Sequence, residues 1–316
     1  MTGPPTARLP NFFLAGAPKA GTTSLYFYLD QHPQIYMAGI KEPAFFGAAD
    51  LRSGPYRDSL QRYLGRHGEA IEAYLRGPQE RGAKFAILEW QDYLRLFRDV
   101  RDETAIGEAS VDYFWQPSAP AAIHAKLPAA KLIFVLRDPA ELLLTRYLAS
   151  PSRDRRTTFR EWFLEAQRSP TPWIVPLGPG RIATNLERFF GLFGRDQIRV
   201  YLYHEYRADP RALLRDVFAF LGVDPAYPVD LTRRYNETPV PRFPGLHAWR
   251  QRVFGTGSAT GWLPSGVRRL IRRAYNRPRG RMALDAADRR LVVDYYRDEI
   301  ARAAELIGRD LSAWLR

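Results

Sequence analysis

Short apolar runs alternate with longer amphipathic segments along this chain, and the alternation predicts its secondary structure. The runs "NFFLAG" (11–16) and "KLIFVLRDP" (131–139) are short, mostly apolar and end at turn-forming residues, which is typical of buried strands. In "QIRVYLYHEY" (197–206) polar and apolar residues alternate, and this pattern predicts a third strand.

Segments with apolar residues at helical spacing lie between and after these strands. The predicted helices cover residues 22–33, 89–100, 120–127, 140–149, 183–194, 210–222 and 285–314. Strands that alternate with helices of about ten or more residues predict an α/β fold, in which helices flank a central parallel β-sheet. We expect residues 1–316 to form a single domain of this kind.

Two regions of the chain have no clear hydrophobic period. Residues 50–82 and 223–266 are rich in glycine, proline and arginine. In α/β enzymes, ligands bind at the carboxyl edge of the sheet, where the functional loops lie. We therefore predict that both regions are loop-rich insertions that bind a substrate.

The composition narrows the class of protein. Apolar residues make up 46% of the 316 residues, and no apolar run is long enough to span a bilayer. The first residues, "MTGPPTARLP", lack the apolar core of a signal peptide, so we expect a cytoplasmic protein. Because the chain has no cysteine, disulfide bonds and thiolate metal sites are excluded.

The charge of the chain predicts a polyanionic partner. The formal net charge is +13, which suits nucleic acid, an anionic membrane surface, an acidic glycan or a multiply phosphorylated cofactor. The arginines are spread over the whole chain, so the charge does not choose among these partners. A non-catalytic polyanion-binding protein is therefore one hypothesis.

The segment "GAPKAGTTS" (16–24) predicts an anion-binding loop. A strand, a glycine-containing loop and a helix N-terminus present unpaired N–H groups and the positive end of the helix dipole. Gly16 and Gly21 have the spacing of the nucleotidase motif GxxxxGK[ST], but Thr22 stands where that motif has lysine, and Lys19 lies inside the loop. This favours an anion bound without a metal. A kinase or nucleotidase is the alternative, which a requirement for magnesium would support.

A second motif, "VLRDPAELLLTRY" (135–147), predicts a phosphate site. Arg137 stands at the end of a predicted buried strand, and its guanidinium offers a planar fork of donors. Thr145 adds a hydroxyl from the helix that follows. A surface ion pair of Arg137 with a nearby carboxylate is the simpler alternative.

Together these motifs resemble the sulfotransferases that use 3′-phosphoadenosine 5′-phosphosulfate (PAPS). "PKAGTTS" is similar to the 5′-phosphosulfate loop of that family, and "VLRDPAELLLTRY" to its 3′-phosphate site. "GEASVDYF" (107–114) and "LIGRDLSAWL" (306–315) extend the similarity over most of the chain.

The resemblance implies a P-loop-like sulfotransferase fold, PAPS as the donor, adenosine 3′,5′-bisphosphate as the product, and no metal. The cofactor-binding residues that it implies are Lys19, Ala20, Gly21, Thr22, Thr23, Ser24, Arg137 and Thr145, and, in a late basic loop, Arg279, Gly280 and Arg281. Basic segment 267–281, which contains that loop, also predicts a surface helix, with a membrane-surface helix or a site for an acidic acceptor as the alternatives.

The resemblance also implies catalytic residues. Lys19 would face the bridging oxygen of the leaving phosphate, and Glu42 in "GIKEPAFF" (39–46) resembles the general base of the Golgi carbohydrate branch. Alternatively, Glu42 pairs with a neighbouring lysine and only shapes its loop, and His247 is then the reserve base. Ser24 stands where the cytosolic small-molecule enzymes have tryptophan, which places this chain closer to the carbohydrate branch, as a bacterial member.

The acceptor stays open at this point. Ala109 replaces the lysine that follows the "GE" glutamate in the glycosaminoglycan enzymes. A carbohydrate, a glycolipid and a secondary metabolite are all compatible with the sequence, and peripheral contact with a membrane is compatible with the charge.

Overall fold

The structure is a computed structural model, and it describes residues 8–53, 56–150, 157–169, 177–232, 240–241, 276–277 and 283–316. The chain divides into two compact units, Met1–Tyr235 with Leu284–Arg316 and Asn236–Ala283. The first unit contains the central sheet and all the helices named below.

A five-stranded parallel β-sheet forms the centre of the first unit. Its strands are β1 (Phe12–Gly16), β2 (Ile35–Met37), β3 (Ala105–Ala109), β4 (Lys131–Leu136) and β5 (Ile198–Leu202), in the order β2-β3-β1-β4-β5. In the central strand, Leu14 pairs with Ala109 on one side and with Ile133 on the other. Because all five strands are parallel, the loops that follow β1, β3 and β4 meet at one edge.

Helices cover both faces of this sheet and confirm the predicted α/β architecture. They are α1 (Thr22–Leu29), α2 (Ala48–Arg52), α3 (Arg57–Arg76), α4 (Trp90–Arg95), α5 (Ala119–Lys126), α6 (Pro139–Ala149), α7 (Phe159–Arg168), α8 (Ile182–Phe190), α9 (Tyr203–Ala208), α10 (Pro210–Leu221) and α11 (Ala286–Ile307). Two 3₁₀ turns, Phe45–Gly47 and Val111–Phe114, lie near the carboxyl edge.

The central strand is fixed from both faces. Phe13 and Ala15 pack into one apolar cluster with side chains of α6, α8 and α11, whereas Phe12 and Leu14 pack into a second cluster with α1 and α10. All four side chains are fully buried, which explains the unbroken apolar run in the sequence. The loop after β1 therefore starts from a rigid support.

The strand predicted over 197–206 is wrong in its second half. β5 ends at Leu202, and α9 begins at Tyr203. Tyr206 is buried against the backbone of Gly21, so packing at the carboxyl edge determines this segment in spite of its alternating pattern.

Four predicted helices extend too far. The helix predicted over 22–33 ends at Leu29. Residues 89–100 form a helix only over Trp90–Arg95, and the helix predicted over 183–194 ends at Phe190, three residues before Phe193. The helix predicted over 285–314 ends at Ile307, because Gly308 adopts a φ of 63° and stops it. Phe97, Phe193 and Trp314, which lie beyond the ends of these last three helices, are buried, whereas Leu192 is exposed.

The prediction that region 50–82 is loop-rich is wrong, because α3 spans Arg57–Arg76. The role of this region in binding a substrate stays a prediction. Leu75 is its one fully buried residue among the helix positions, so the helix has only a narrow apolar stripe. Gly65 and Gly68 argue against a helix in the sequence, but a Cβ at either position would meet nothing within 4 Å. An exposed helix tolerates such glycines at a cost of about 1 kcal/mol each.

In the second unit, β6 (Val240–Pro241) pairs antiparallel with β7 (Asn276–Arg277). Most of the predicted loop-rich region 223–266 and of basic segment 267–281 lies outside the described residues. His247, Arg279, Gly280 and Arg281 also lie outside them. No helix in the described part of the chain has the length and apolar character that crossing a membrane requires.

Candidate active site

The loop between β1 and α1 is shaped around Gly21. This residue has a φ of 80°, in the left-handed region that favours glycine. A Cβ at this position would lie 2.8 Å from the ring of Tyr206 and 3.0 Å from the ring of Tyr203. Glycine therefore allows the chain to turn tightly into α1, which begins at Thr22.

The start of α1 forms a set of backbone donors at the carboxyl edge. Within the described residues, the N–H groups of Lys19, Ala20, Gly21 and Thr22 donate to no acceptor. Thr22, Thr23 and Ser24 place three hydroxyls on the first turn of the helix. Such N–H groups, together with the positive end of the helix dipole, are suited to an anion.

Arg137 connects the two sequence motifs. Its Nη1 donates to the carbonyl oxygen of Lys19 at 2.8 Å, and its Nε donates to Glu141 Oε2 at 3.1 Å. The guanidinium lies 4.8 Å from the centroid of the Tyr203 ring. The structure therefore holds the fork of donors beside the anion-binding loop, although Arg137 also forms the ion pair that was the simpler alternative.

Thr145 lies on α6, as predicted, but its hydroxyl has an internal partner. Oγ1 donates to the carbonyl oxygen of Glu141 at 2.8 Å, and the residue is 3% exposed. The hydroxyl would have to leave this bond in order to donate to a phosphate. Its role in binding the 3′-phosphate stays a prediction.

Glu42 lies in the loop after β2, and its carboxylate is held at both oxygens. Oε2 accepts from the N–H of Val111 at 3.0 Å, and Oε1 accepts from the buried ammonium of Lys41. The backbone N–H of Glu42 donates to the carbonyl oxygen of Ala109 at 2.8 Å. The side chain is nevertheless 27% exposed, and it lines a cavity. Glu42 therefore pairs with a neighbouring lysine, which was one of the alternatives from the sequence, and its carboxylate is also accessible to solvent.

Backbone strain is concentrated in these two loops. Among the described residues, Lys19, Glu42 and Ala44 are the non-glycine residues with positive φ, at 63°, 74° and 57°. Each such residue costs on the order of 1 kcal/mol, and such strain is typical of functional sites.

A fully buried carboxylate, that of Glu108, lies on β3 next to the loop that contains Glu42. Glu108 on β3 accepts from the hydroxyls of Ser110 at 2.8 Å, Tyr113 at 2.8 Å and Tyr93 at 3.3 Å. Burial raises the pKa of Glu108 to about 7, although the three hydroxyl donors act in the opposite direction. The glutamate of "GEASVDYF" is therefore part of an internal hydrogen-bond network.

Two of these hydroxyls extend the network to the Glu42 loop. Ser110 Oγ accepts from the N–H of Ala44 at 3.1 Å, and the hydroxyl of Tyr113 accepts from the N–H of Phe46 at 3.2 Å. The network thus holds the strained segment that follows Glu42 in place.

The site concentrates charge of both signs. Burial of part of the Lys19 side chain lowers its pKa, and the charges of Arg146 and Lys84 lower it further, whereas Glu42 and Asp112 oppose this change. An anion among these cations would relieve their mutual repulsion. The site is therefore electrostatically suited to an anionic ligand beside a carboxylate.

Arg146 is a residue that the sequence reasoning did not single out, although it directly follows Thr145. Its Nε is buried and has no hydrogen-bond partner within the described residues. Burial lowers the pKa of Arg146, and the nearby charges of Asp112 and Tyr56 act in the opposite direction. A buried guanidinium nitrogen without a partner is unfavourable, so this half-buried cation indicates a ligand site.

The other candidates are not brought into this site by the described structure. His247 and the residues of the late basic loop lie outside the described residues. His32 is buried, with Nε2 3.0 Å from the carbonyl oxygen of Asp224, and its Nδ1 accepts from the N–H of Gln34, so its ring is engaged in structural hydrogen bonds. No group of three or more His, Cys, Asp or Glu residues in the described ranges is arranged to hold a metal ion.

A parallel sheet with an anion-binding loop after its central strand, and with a carboxylate at the same edge, is suited to an enzyme that transfers a group from an anionic donor. The sequence profile described as "Sulfotransferase family" matches residues 10–227, which is more than half of the chain. The chain therefore belongs to the sulfotransferase family, as the resemblance of its motifs implied.

Known proteins agree with this assignment. The crystal structure of a sulfotransferase from Alicyclobacillus acidocaldarius is 28% identical, with a TM-score of 0.68, over 98% of this chain and 100% of that chain. The bifunctional heparan sulfate N-deacetylase/N-sulfotransferase 4 of Mus musculus is 26% identical over 98% of this chain and 31% of its own length. Carbohydrate sulfotransferase 15 of Mus musculus is 27% identical over 69% of this chain and 44% of its own length. This chain therefore spans about a third of the length of the heparan sulfate N-deacetylase/N-sulfotransferase.

Proposed function

We propose that this sulfotransferase moves the sulfuryl group of PAPS to a hydroxyl or amine of an acceptor, with Glu42 as general base. The observation that carries the proposal is the arrangement of the two motif residues: Arg137 is hydrogen-bonded to the carbonyl of Lys19, in the anion-binding loop. Two of the relatives named above, a heparan sulfate N-deacetylase/N-sulfotransferase and a carbohydrate sulfotransferase, support an acceptor that offers an amine or a hydroxyl.

The chain offers a fitting place for each anionic group of the donor. The N–H groups of Lys19 to Thr22 and the hydroxyls of the first turn of α1 suit the 5′-phosphosulfate, and the Arg137 fork suits the 3′-phosphate. When bound, PAPS supplies an activated sulfuryl group and departs as adenosine 3′,5′-bisphosphate.

The residues around the loop would then carry out the transfer. Glu42 removes the proton of the acceptor while the acceptor oxygen or nitrogen bonds to sulfur. Lys19 stabilises the negative charge that develops on the leaving phosphate oxygen, and Arg146 adds positive charge nearby. Val111 and Lys41 hold the Glu42 carboxylate in one orientation.

Transfer from labelled PAPS tests the role of the base. We expect Glu42→Gln to lower kcat by about 10²–10⁴, the usual contribution of a general base, while calorimetry shows unchanged binding of adenosine 3′,5′-bisphosphate. Glu165→Gln, at an exposed position of α7, is the matched control and should retain full activity. A Glu42→Gln variant with wild-type turnover would refute the proposal for the base and direct attention to His247.

The same assay tests the role of the lysine. Lys19→Ala should lower kcat by about 10²–10³, because the leaving oxygen loses its cation. Lys126→Ala, on α5, removes a lysine outside the loop and should leave kcat unchanged. Full activity of Lys19→Ala would exclude the leaving-group role. Dependence of the wild-type activity on magnesium would instead support the kinase or nucleotidase hypothesis.

A further inference from the structure

A cavity of about 350 Å³ adjoins the proposed base, and it leads to an inference about the acceptor that rests on the proposed function. Glu42 lines this cavity, which lies beside α3 and the segment after it. Most of its wall is carbon from six side chains, namely those of Leu51, Tyr56, Leu60, Tyr63, Phe85 and Ala86.

The cavity is open to solvent, so its size sets how much of a ligand it covers. Pockets for small molecules range from about 300 to 1,000 Å³, and a cavity of about 150 Å³ already binds benzene. The cavity beside Glu42 is at the lower end of this range. It is therefore large enough to cover a molecule of one or two rings.

The polar groups of the wall are few and partly engaged. The hydroxyl of Tyr63 accepts from the N–H of Ala86 at 3.2 Å, and Ser59 Oγ accepts from Arg62 at 3.3 Å. A sugar would bury several hydroxyls against such a wall, and hydroxyls that lack partners weaken binding. An aromatic ring needs no such partners.

The charge near the cavity favours an acidic hydroxyl. Lys84 lines the cavity, is exposed, and forms no ion pair within the described residues. As Glu42 removes a proton, negative charge develops on the acceptor oxygen, and a nearby ammonium stabilises it. A phenolic oxygen carries such charge more readily than the hydroxyl of a sugar does.

We propose that the acceptor is an aromatic alcohol of one or two rings, whose ring fills this cavity and whose hydroxyl meets Glu42. The phenolic oxygen forms a bond to sulfur, the bond between sulfur and the bridging phosphate oxygen breaks, and the phenolic proton passes to Glu42. The products are an aryl sulfate and adenosine 3′,5′-bisphosphate.

Acceptor competition in the intact protein tests this inference. The experiment compares three acceptors, 2-naphthol, N-acetylglucosamine and N-desulfated heparan sulfate, with labelled PAPS as the donor. The value of kcat/KM for 2-naphthol should exceed the others by about 10²-fold or more, because the ring gains burial that the sugars do not. Preferred transfer to either sugar acceptor would overturn the inference.

Two variants of Leu60 test whether the aromatic ring binds in the cavity. Leu60→Asn should lower kcat/KM for 2-naphthol by about tenfold or more, whereas Leu60→Met, which conserves volume, should change it by less than about threefold. Leu192→Asn is the matched control, because Leu192 is an exposed leucine that does not line the cavity, and it should change nothing.

Each outcome distinguishes the two proposals. If Leu60→Asn keeps wild-type activity toward 2-naphthol, or if the wild type sulfates none of the three acceptors although it binds adenosine 3′,5′-bisphosphate, the inference about the acceptor is wrong and the donor site stands. If calorimetry shows no binding of the bisphosphate to the wild type, the proposed function fails and the inference falls with it.

Discussion

At the scale of single residues, this site keeps features that stability alone would not favour. Lys19 and Glu42 adopt left-handed backbone conformations, and Nε of Arg146 is buried without a partner. Each feature is unfavourable for the stability of the protein alone, and each lies near the proposed site of the anionic donor. We interpret them as residues held ready for a ligand.

Arg146 allows this interpretation to be tested through stability and activity together. Arg146→Met removes the unpartnered guanidinium but keeps much of its apolar volume, so the free energy of unfolding should rise by roughly 1–3 kcal/mol. Transfer should fall by about tenfold or more, because a cation close to Lys19 is lost.

Chemical denaturation and the labelled-PAPS assay measure the two effects. Arg297→Met, an exposed arginine on α11 paired with Asp294, is the control, and its stability should change by less than about 0.5 kcal/mol. A variant of Arg146 that is less stable and fully active would show that the guanidinium has only a structural role.

At the scale of elements, the site depends on how two loops are tied to the ends of other strands at the carboxyl edge. The loop after β1 is tied to the end of β4 through Arg137. The loop after β2 is tied to the end of β3 through the network of Glu108. Glu42 and the anion-binding loop are thus positioned by separate strands of one rigid sheet.

The pH dependence of stability tests the Glu108 network. Its folded-state pKa of about 7 is above the ordinary value, so the folded state binds this proton more tightly than the unfolded state does. Its contribution to stability is complete below about pH 4.5 and is lost as the pH rises through 7. Glu108→Gln removes this titration.

We therefore expect the stability difference between wild type and Glu108→Gln to shrink by up to about 3 kcal/mol from pH 4.5 to pH 8. Urea unfolding of both proteins at several pH values measures it. Glu165→Gln should give a difference that does not depend on pH. A constant difference for Glu108→Gln would show that this carboxyl does not titrate in the range stated.

The strong patterns in the sequence predicted the elements that carry the proposed site. β1, α1, β4 and α6 begin within one residue of where they were expected, because a buried strand that ends in a glycine or arginine loop has a clear signature. Helix α3 was missed because it is mostly exposed, so its apolar positions are too few to show a period. Strand β3 was missed because Gly107 and Glu108 are unusual in a buried strand.

Two features of the site could not be predicted from the sequence, for a physical reason. Arg146 stands in a quoted motif, but only the fold reveals that Nε of its guanidinium is buried and unpartnered. The cavity beside Glu42 is formed with α3, and no periodicity predicted that helix. Contacts between distant segments, rather than local patterns, create both features.

At the scale of the whole molecule, the net charge of +13 and the fold have different consequences. The charge attracts anions of many kinds over long distances, and salt screens this attraction. Selectivity for one anion requires donors at fixed positions, which the β1–α1 loop and Arg137 provide. A polyanion-binding protein would need only the charge, whereas the proposed enzyme needs both.

Calorimetric titration with adenosine 3′,5′-bisphosphate and with adenosine 5′-monophosphate, in EDTA, tests the central claim most directly. We predict one saturable site for the bisphosphate, and at least about tenfold weaker binding of the monophosphate, because Arg137 loses a charge-assisted contact with the 3′-phosphate. Equal affinities for the two nucleotides, or binding that appears only when magnesium is added, would contradict the account.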